Sequence, residues 1–190
     1  HIRFCFIYFN AQQNPTDAYL TKCQELDTEP VYEFMVVLDS AAPTSLNLSQ
    51  RKAKLDVVYD TEQKLLLSIT SIADADIASI CSTIALTKNI IDVNLSDNIL
   101  SKASANSIST LLAENRSIES LSVANSKLGD ENFAEILSSI VNNVYSPIQS
   151  LDFSNCNLTY ASTTPICDLL SMGRIKYLNL QKNRFTNSSV

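Results

Sequence analysis

Apolar side chains along most of this chain fall into one recurring frame. Between residues 118 and 140 they stand at Ile118, Leu121, Val123 and Leu128, with Ser126 in a polar slot before the last of them. Phe133, Ile136, Leu137 and Ile140 follow at i, i+3, i+4 and i+7, the spacing of an amphipathic helix. A short strand, a turn and a helix therefore make one unit. The frame returns at Ile90, Val93, Leu95, Asn98 and Leu100, then at Ile148, Leu151, Phe153, Cys156 and Leu158, and again at Ile175, Leu178, Leu180, Asn183 and Phe185. A weaker upstream copy keeps Leu65, Leu67, Thr70 and Ile72 but places Glu62 in the first slot. The starts at 62, 90, 118, 148 and 175 lie 28, 28, 30 and 27 residues apart. The helical halves keep the same phase. Ile80, Ile108, Ile136 and Ile166 come eight residues after each frame, and Ile84, Leu112, Ile140 and Leu170 twelve after.

A period held in strand and helix together resembles the leucine-rich repeat, whose polar slot takes Asn or Cys. The length of the unit and its helical second half resemble the ribonuclease-inhibitor-like class, also used by tropomodulins. That resemblance implies an α/β solenoid, with a curved parallel sheet on the concave side and helices on the convex side. One such unit cannot bury its own apolar face, so units must stack on a shared core. The chain divides into a flank, 1–60, and the repeats, 61–190.

The flank reads as strand, helix and strand. Residues 2–9 (IRFCFIYF) are apolar without alternation, as in a strand buried on both faces. The rival reading is the core of a signal peptide, but Asn10-Ala-Gln-Gln offers no small-residue cleavage pattern. Asn14-Pro15-Thr16-Asp17 starts a helix that runs to about Leu26 and buries Tyr19, Leu20 and Cys23. Residues 31–38 predict a second apolar strand, 41–43 a linker, and Leu46-Asn-Leu48 a degenerate first repeat strand. The apolar segment 55–59 has no assigned place. Thr16-Asp-Ala-Tyr19-Leu-Thr-Lys-Cys23, Pro30-Val-Tyr32-Glu33 and Leu46-Asn-Leu48 resemble the segment that joins the membrane-binding domain to the repeats in the CARMIL family of actin capping-protein regulators. That likeness covers roughly 15–190. It implies a link to the actin cytoskeleton and makes residues 2–9 the last strand of a pleckstrin-homology-like domain. The family's capping-protein-binding segment follows its repeats and has no counterpart here.

Charge narrows the partners. A net charge of −6 and a pI near 4.7 argue against nucleic acid, which needs a basic footprint. No apolar run is long enough to span a membrane. Five cysteines without paired spacing read as reduced thiols. Sequons at Asn47, Asn94, Asn115, Asn157 and Asn187 admit an extracellular, glycosylated recognition protein. Chance matches in an Asn- and Ser-rich chain, with no disulfide-bonded caps, place it instead in the cytoplasm. The start without Met and the apolar run after His1 suggest a segment of something longer. Only five residues follow Phe185, which predicts a chain continuing past Val190 or an edge covered by another chain, with self-association through the uncapped last repeat.

Catalytic chemistry finds no foothold. The single histidine is His1, and Gly129 and Gly173 make no phosphate loop. The sequence points to no catalytic, metal or cofactor-binding residue. Asp74, Asp76, Asp130 and Glu131 precede helices and read as capping and dipole partners rather than metal ligands. Strand positions between the buried leucines face the concave side. They are Leu66, Asn94, Ser122, Asp152 and Asn179 in one row, and Lys64, Asp92, Ser120, Ser150 and Tyr177 in the other. Asp97, Asn125, Asn155 and Lys182 lie at the turns. The middle of this face is small and neutral, and Tyr177 is its one aromatic, the residue type that dominates interaction hot spots. The expected role is a non-enzymatic scaffold that binds a protein partner through Asp92, Asn94, Asp97, Asn125, Asp152, Asn155, Tyr177, Asn179 and Lys182.

Overall fold

The computed structural model describes residues 15–28, 30, 34–35, 38, 45–47, 56–58, 65–68, 74–87 and 90–186. Its elements in chain order are α1 (Pro15–Glu25), β1 (Ser45–Asn47), β2 (Asp56–Val58), β3 (Leu65–Ser68), α2 (Asp74–Ile84), β4 (Ile90–Asn94), α3 (Lys102–Glu114), β5 (Ser120–Ser122), α4 (Gly129–Asn142), β6 (Ser150–Asp152), a 3-10 turn (Tyr160–Ser162), α5 (Thr163–Ser171) and β7 (Tyr177–Asn179). This is an α/β fold on one sheet of order β2-β1-β3-β4-β5-β6-β7. Strands β3 to β7 are parallel, each beside the next in sequence, and β1 runs parallel to β3. The segment left unplaced at 55–59 contains β2, which closes the sheet antiparallel to β1. The 60/61 division falls inside this sheet.

Leu67, Val93, Leu121, Leu151 and Leu178 stand side by side, so successive partners lie 26, 28, 30 and 27 residues apart. The first step corrects the upstream frame, which had set Leu65 beside Val93. Leu65 pairs with Ile90, an irregularity follows it, and Leu66 comes opposite Asp92 rather than Asn94. A Leu-Leu-Leu run offers equivalent slots two residues apart, the period of a strand.

From β4 onward the pattern dictates the core. Val93, Leu121 and Leu151 are buried, while the flanking Asp92, Asn94, Ser120, Ser122, Ser150 and Asp152 are half-buried. Ile80, Ile84, Ile108, Leu112, Ile136 and Ile140 close over them from the helices. Phe133 meets Phe153 of the next unit edge to face at 4.8 Å. Leu170 departs from the helical phase. It is 49% exposed and Leu169 is buried. Leu169 and Leu170 stand i+3 and i+4 from the buried Ile166, both compatible with one apolar stripe, and α5 buries the first of them.

In the flank, α1 buries Tyr19 and Cys23 as expected, whereas Leu20 is only half-buried. The strand predicted at 31–38 is corrected, because Phe34, Met35 and Leu38 are α-helical. Phe34 and Leu38 sit at i and i+4, so a short apolar run fits either period. Phe34 packs edge to face on Tyr19, with centroids 4.7 Å apart. Residues 2–9 and 41–43 lie outside the described residues.

Polar side chains join the units at three levels. Beneath the turns, Asn98, Ser126 and Cys156 are buried in a column that Asn183 extends. Asn98 donates to the carbonyls of Leu95 and Ser96 at 2.9 and 3.3 Å. Asn183 donates to Phe153 and Leu180 at 2.8 and 2.9 Å, and its Oδ1 accepts the amides of Cys156 and Leu158. The Cys156 thiol faces the Val123 carbonyl at 3.2 Å, and burial pushes its pKa up.

At the helix starts, Asp74 accepts hydrogen bonds from Ser101 (2.7 Å) and Ser104, and Asp130 accepts from Thr159 Oγ1 (2.7 Å), the Thr159 amide (2.8 Å) and Ser162. Asp76 takes the Thr28 hydroxyl. These acids lie in first turns as expected, but the side chains they bind belong to neighbouring units. The Asp74 and Asp130 carboxylates reach sideways to the residues that open the next helix. Lys102 pairs with Glu131 at 2.7 Å between the two clamps. At the helix ends, Asn143 donates to the Leu112 and Asn115 carbonyls at 2.9 Å, and Arg174 donates to Ile140 and Asn143 at 2.7 and 3.0 Å.

Leu121→Ala should cost roughly 2–5 kcal/mol in denaturant unfolding as a buried large-to-small change. Ser122→Ala, which loses only a half-buried hydroxyl pair with Ser96, should cost under about 1 kcal/mol. The reverse ranking would displace the strand register. Hydrogen bonds from Ser101 and Ser104 hold the Asp74 carboxyl below its ordinary range. Burial pulls Asp130 upward, yet its bonds from Ser162 and Thr159 outweigh it and leave it lowered as well. A depressed folded pKa gives stability that is present above the unfolded value of about 3.9 and is lost as pH falls through the folded one. Asp130→Asn should therefore remove about 1 kcal/mol at neutral pH and flatten the acid limb of the stability curve. A limb of unchanged steepness would place the proton uptake elsewhere. Amides of 175–185, where Ile175, Leu178 and Leu180 are half-buried, should exchange before those of 118–128, where Ile118, Leu121 and Val123 are buried. Equal protection in hydrogen exchange would contradict that gradient.

Candidate functional site

The sheet face turned away from the helices is built by strand alternation. Every residue beside a buried leucine presents its side chain there. Register puts Asp92, Ser120, Ser150 and Tyr177 in one row, and Asn94, Ser122, Asp152 and Asn179 in the other. Tyr177 is 54% exposed, and the serines between it and Asp92 leave the middle of the face low.

Much of the second row is already engaged. Asn94 Oδ1 accepts the Ser96 amide at 2.9 Å, Asp152 Oδ1 the Ser154 amide at 2.8 Å, and Asn179 Oδ1 the Gln181 amide at 3.1 Å. One side chain thus ends β4, β6 and β7 by bonding the backbone two residues on, the Asx-turn device. Asn179 Nδ2 also reaches Asp152 Oδ2 at 3.0 Å, which ties two strands together on the surface. Asp92 is half-buried on this face.

The turn residues form a second column. Asp97, Asn125, Asn155 and Lys182 all take left-handed backbone conformations, with φ of 63, 58, 52 and 57°. Asp and Asn tolerate that region better than most side chains. Asn125 donates to Asp97 Oδ1 at 2.8 Å, and Asn155 donates to Asn125 Oδ1 at 2.9 Å. The column therefore starts on a carboxylate, runs through two amides, and ends at a lysine. The sequence placed these residues at the turns but did not reveal that they bond to one another, because each partner is 28 or 30 residues away.

All nine sequence-chosen residues lie on this face or its turn rim, so the structure brings them together. The choice omitted the basic residues beside them. Lys176 precedes Tyr177, Arg184 follows Lys182, and Lys127 occupies the frame position of Asn157 and Arg184 two units earlier. Continuing the frame one slot past the turn would have exposed that row.

On the opposite side, a 340 Å³ groove between α2 and α3 is lined mainly by small side chains such as Ala78, Ser82 and Ser107, with Cys81 at its floor. Burial pushes the Cys81 thiol up to about 12, so it is no nucleophile at neutral pH. Among the described residues, no three of His, Cys, Asp and Glu come together as a metal-holding group, and no helix is long and apolar enough to cross a membrane. No family model matches this chain, and no curated protein matches it.

Proposed function

We propose that the chain is a leucine-rich repeat solenoid of the ribonuclease-inhibitor-like class, working as a non-enzymatic scaffold that binds a protein through the concave sheet face. The column Asn98, Ser126, Cys156 and Asn183 carries this reading. The slot that a leucine-rich repeat gives to Asn or Cys is here polar and inward, with Asn98, Cys156 and Asn183 bonded to backbone and Ser126 facing the Cys156 thiol. Serines at the centre of the face let a partner approach closely, and Tyr177 offers it an aromatic anchor. The flank's likeness to the CARMIL family makes the actin cytoskeleton the first place to seek that partner. The free thiols Cys23, Cys81, Cys156 and Cys167 support a reducing, cytoplasmic location.

The second reading, an extracellular glycosylated recognition protein, draws on Asn157, which is exposed at a turn. Asn115 speaks against it. That residue is 8% exposed, and its Oδ1 accepts the amides of Ser117 and Ile118. Glycosidase-sensitive mobility of the cell-made protein would favour the second reading.

Cross-linked capture of a partner tests the sheet face. Tyr177→Ala should lower capture by roughly tenfold or more, the loss of a hot-spot aromatic. Asp152→Asn should change capture severalfold at a cost of no more than about 1 kcal/mol, because its Oδ1 still accepts the Ser154 amide while the bond from Asn179 Nδ2 is lost. Glu135→Ala, on α4, should leave capture unchanged. Equal losses from sheet and helix variants would remove the support for this face.

A further inference from the structure

The acidic chain has one basic end. After Asp168 it carries no Asp or Glu through Val190, and four cations, Arg174, Lys176, Lys182 and Arg184. Arg174 is occupied by the carbonyls that end α4. The other three are exposed and, among the described residues, none has an ion-pair or side-chain hydrogen-bond partner. Three other cations among the described residues are engaged. Lys22 pairs with Glu25, Lys102 pairs with Glu131, and Arg116 lies over the Tyr145 ring at 4.4 Å. Lys127 extends the unpaired set along the turn rim, two strands or about 10 Å from Arg184. Tyr177, on the sheet face, lies between Lys176 and Lys182 in sequence, and all three are exposed at β7 and its flanks.

We propose that this corner of the face, Lys127, Lys176, Tyr177, Lys182 and Arg184, docks an acidic polypeptide segment. The inference rests on the sheet face being the interaction surface and names the chemistry of its partner. Lys176 and Lys182 bracket the strand and turn of β7, up to about 20 Å apart along the chain, so they do not converge on one phosphate. They suit carboxylates spaced along a peptide, with an apolar side chain set on Tyr177. A short segment feels this local field, because charges beyond about 8 Å are screened at physiological salt. A nucleic acid or an anionic membrane spreads over more of the surface and meets the rest of the chain, which without those four cations carries −10. Ser150 beside Tyr177 is neutral, and the nearest carboxylate on the face, Asp152, is tied to the Ser154 amide and Asn179 Nδ2.

The test is fluorescence anisotropy with a labelled glutamate-rich synthetic peptide of about a dozen residues with interspersed leucines. Its glutamine counterpart, a short oligodeoxynucleotide and phosphatidylserine vesicles form the other arms. The glutamate peptide should bind in preference to all three and weaken as salt rises. Lys176→Glu/Lys182→Glu should weaken it about tenfold or more, and Tyr177→Ala severalfold. Lys22→Glu/Lys102→Glu makes the same change in net charge away from this corner and should leave binding unchanged, with circular dichroism showing each variant folded. Equal weakening by the two double variants, equal binding of the glutamine peptide, or tighter binding of oligonucleotide or vesicles would overturn the proposal. If Tyr177→Ala abolishes capture of a partner while the glutamate peptide is ignored, the acidic segment falls and the sheet-face reading stands.

Discussion

Backbone polarity under the turns is the constraint that the stack must solve. Each unit reverses direction within a few residues of its strand, which points turn amides and carbonyls inward where water does not reach. An unpaired buried group there costs as much as a lost hydrogen bond or more. Asn98 answers by donating to two turn carbonyls and Asn183 by donating and accepting together, while Cys156 supplies a thiol facing the Val123 carbonyl. Because Asn183 bonds to Phe153 and Cys156 of the preceding unit, it satisfies a neighbour's turn along with its own. The strand ladder, the helix cover and the shape of the outer face all follow from holding those turns in one register.

The outer face inherits that economy. Asn94, Asp152 and Asn179 present side chains to any partner, yet each keeps one oxygen on a turn amide. Groups so restrained lose little rotamer freedom when a partner arrives, which favours binding. The same tie means that alanine at these positions disturbs the turn as well as the contact, so the carboxamide exchange is the cleaner probe at Asp152. Tyr177 and the lysines beside it have no such second duty.

Legibility in the sequence followed how local each determinant is. The period could be read because Ile or Leu fills nearly every slot from 90 onward, and burial of Ile108, Leu121, Ile136 and Leu151 matches the frame. It faltered where residues offered two equivalent solutions, as in the Leu65–Leu67 run and in the helical residues Phe34 and Leu38. Leu170 was misread because Leu169 and Leu170 stand i+3 and i+4 from Ile166, and the period alone does not choose between them. The face could be listed from alternation alone, and its rows fell where expected. The bonds from Asp74 to Ser101 and from Asp130 to Thr159 were out of reach, since they span 27 and 29 residues and exist only once the helices stand side by side.

Those helix-start contacts also set a rule for how such a chain can grow or shrink. The junction between α2 and α3 is a carboxylate on hydroxyls, that between α3 and α4 is a lysine on a glutamate, and that between α4 and α5 is again a carboxylate on hydroxyls. Removing one unit would bring Asp74 up against the start of α4, where Asp130 and Glu131 add negative charge and no hydroxyl pair waits. Removing two would bring it to Thr159 and Ser162, the partners that its counterpart Asp130 already uses. Losing the units of α3 and α4 together therefore leaves a matched joint, whereas losing that of α3 alone does not.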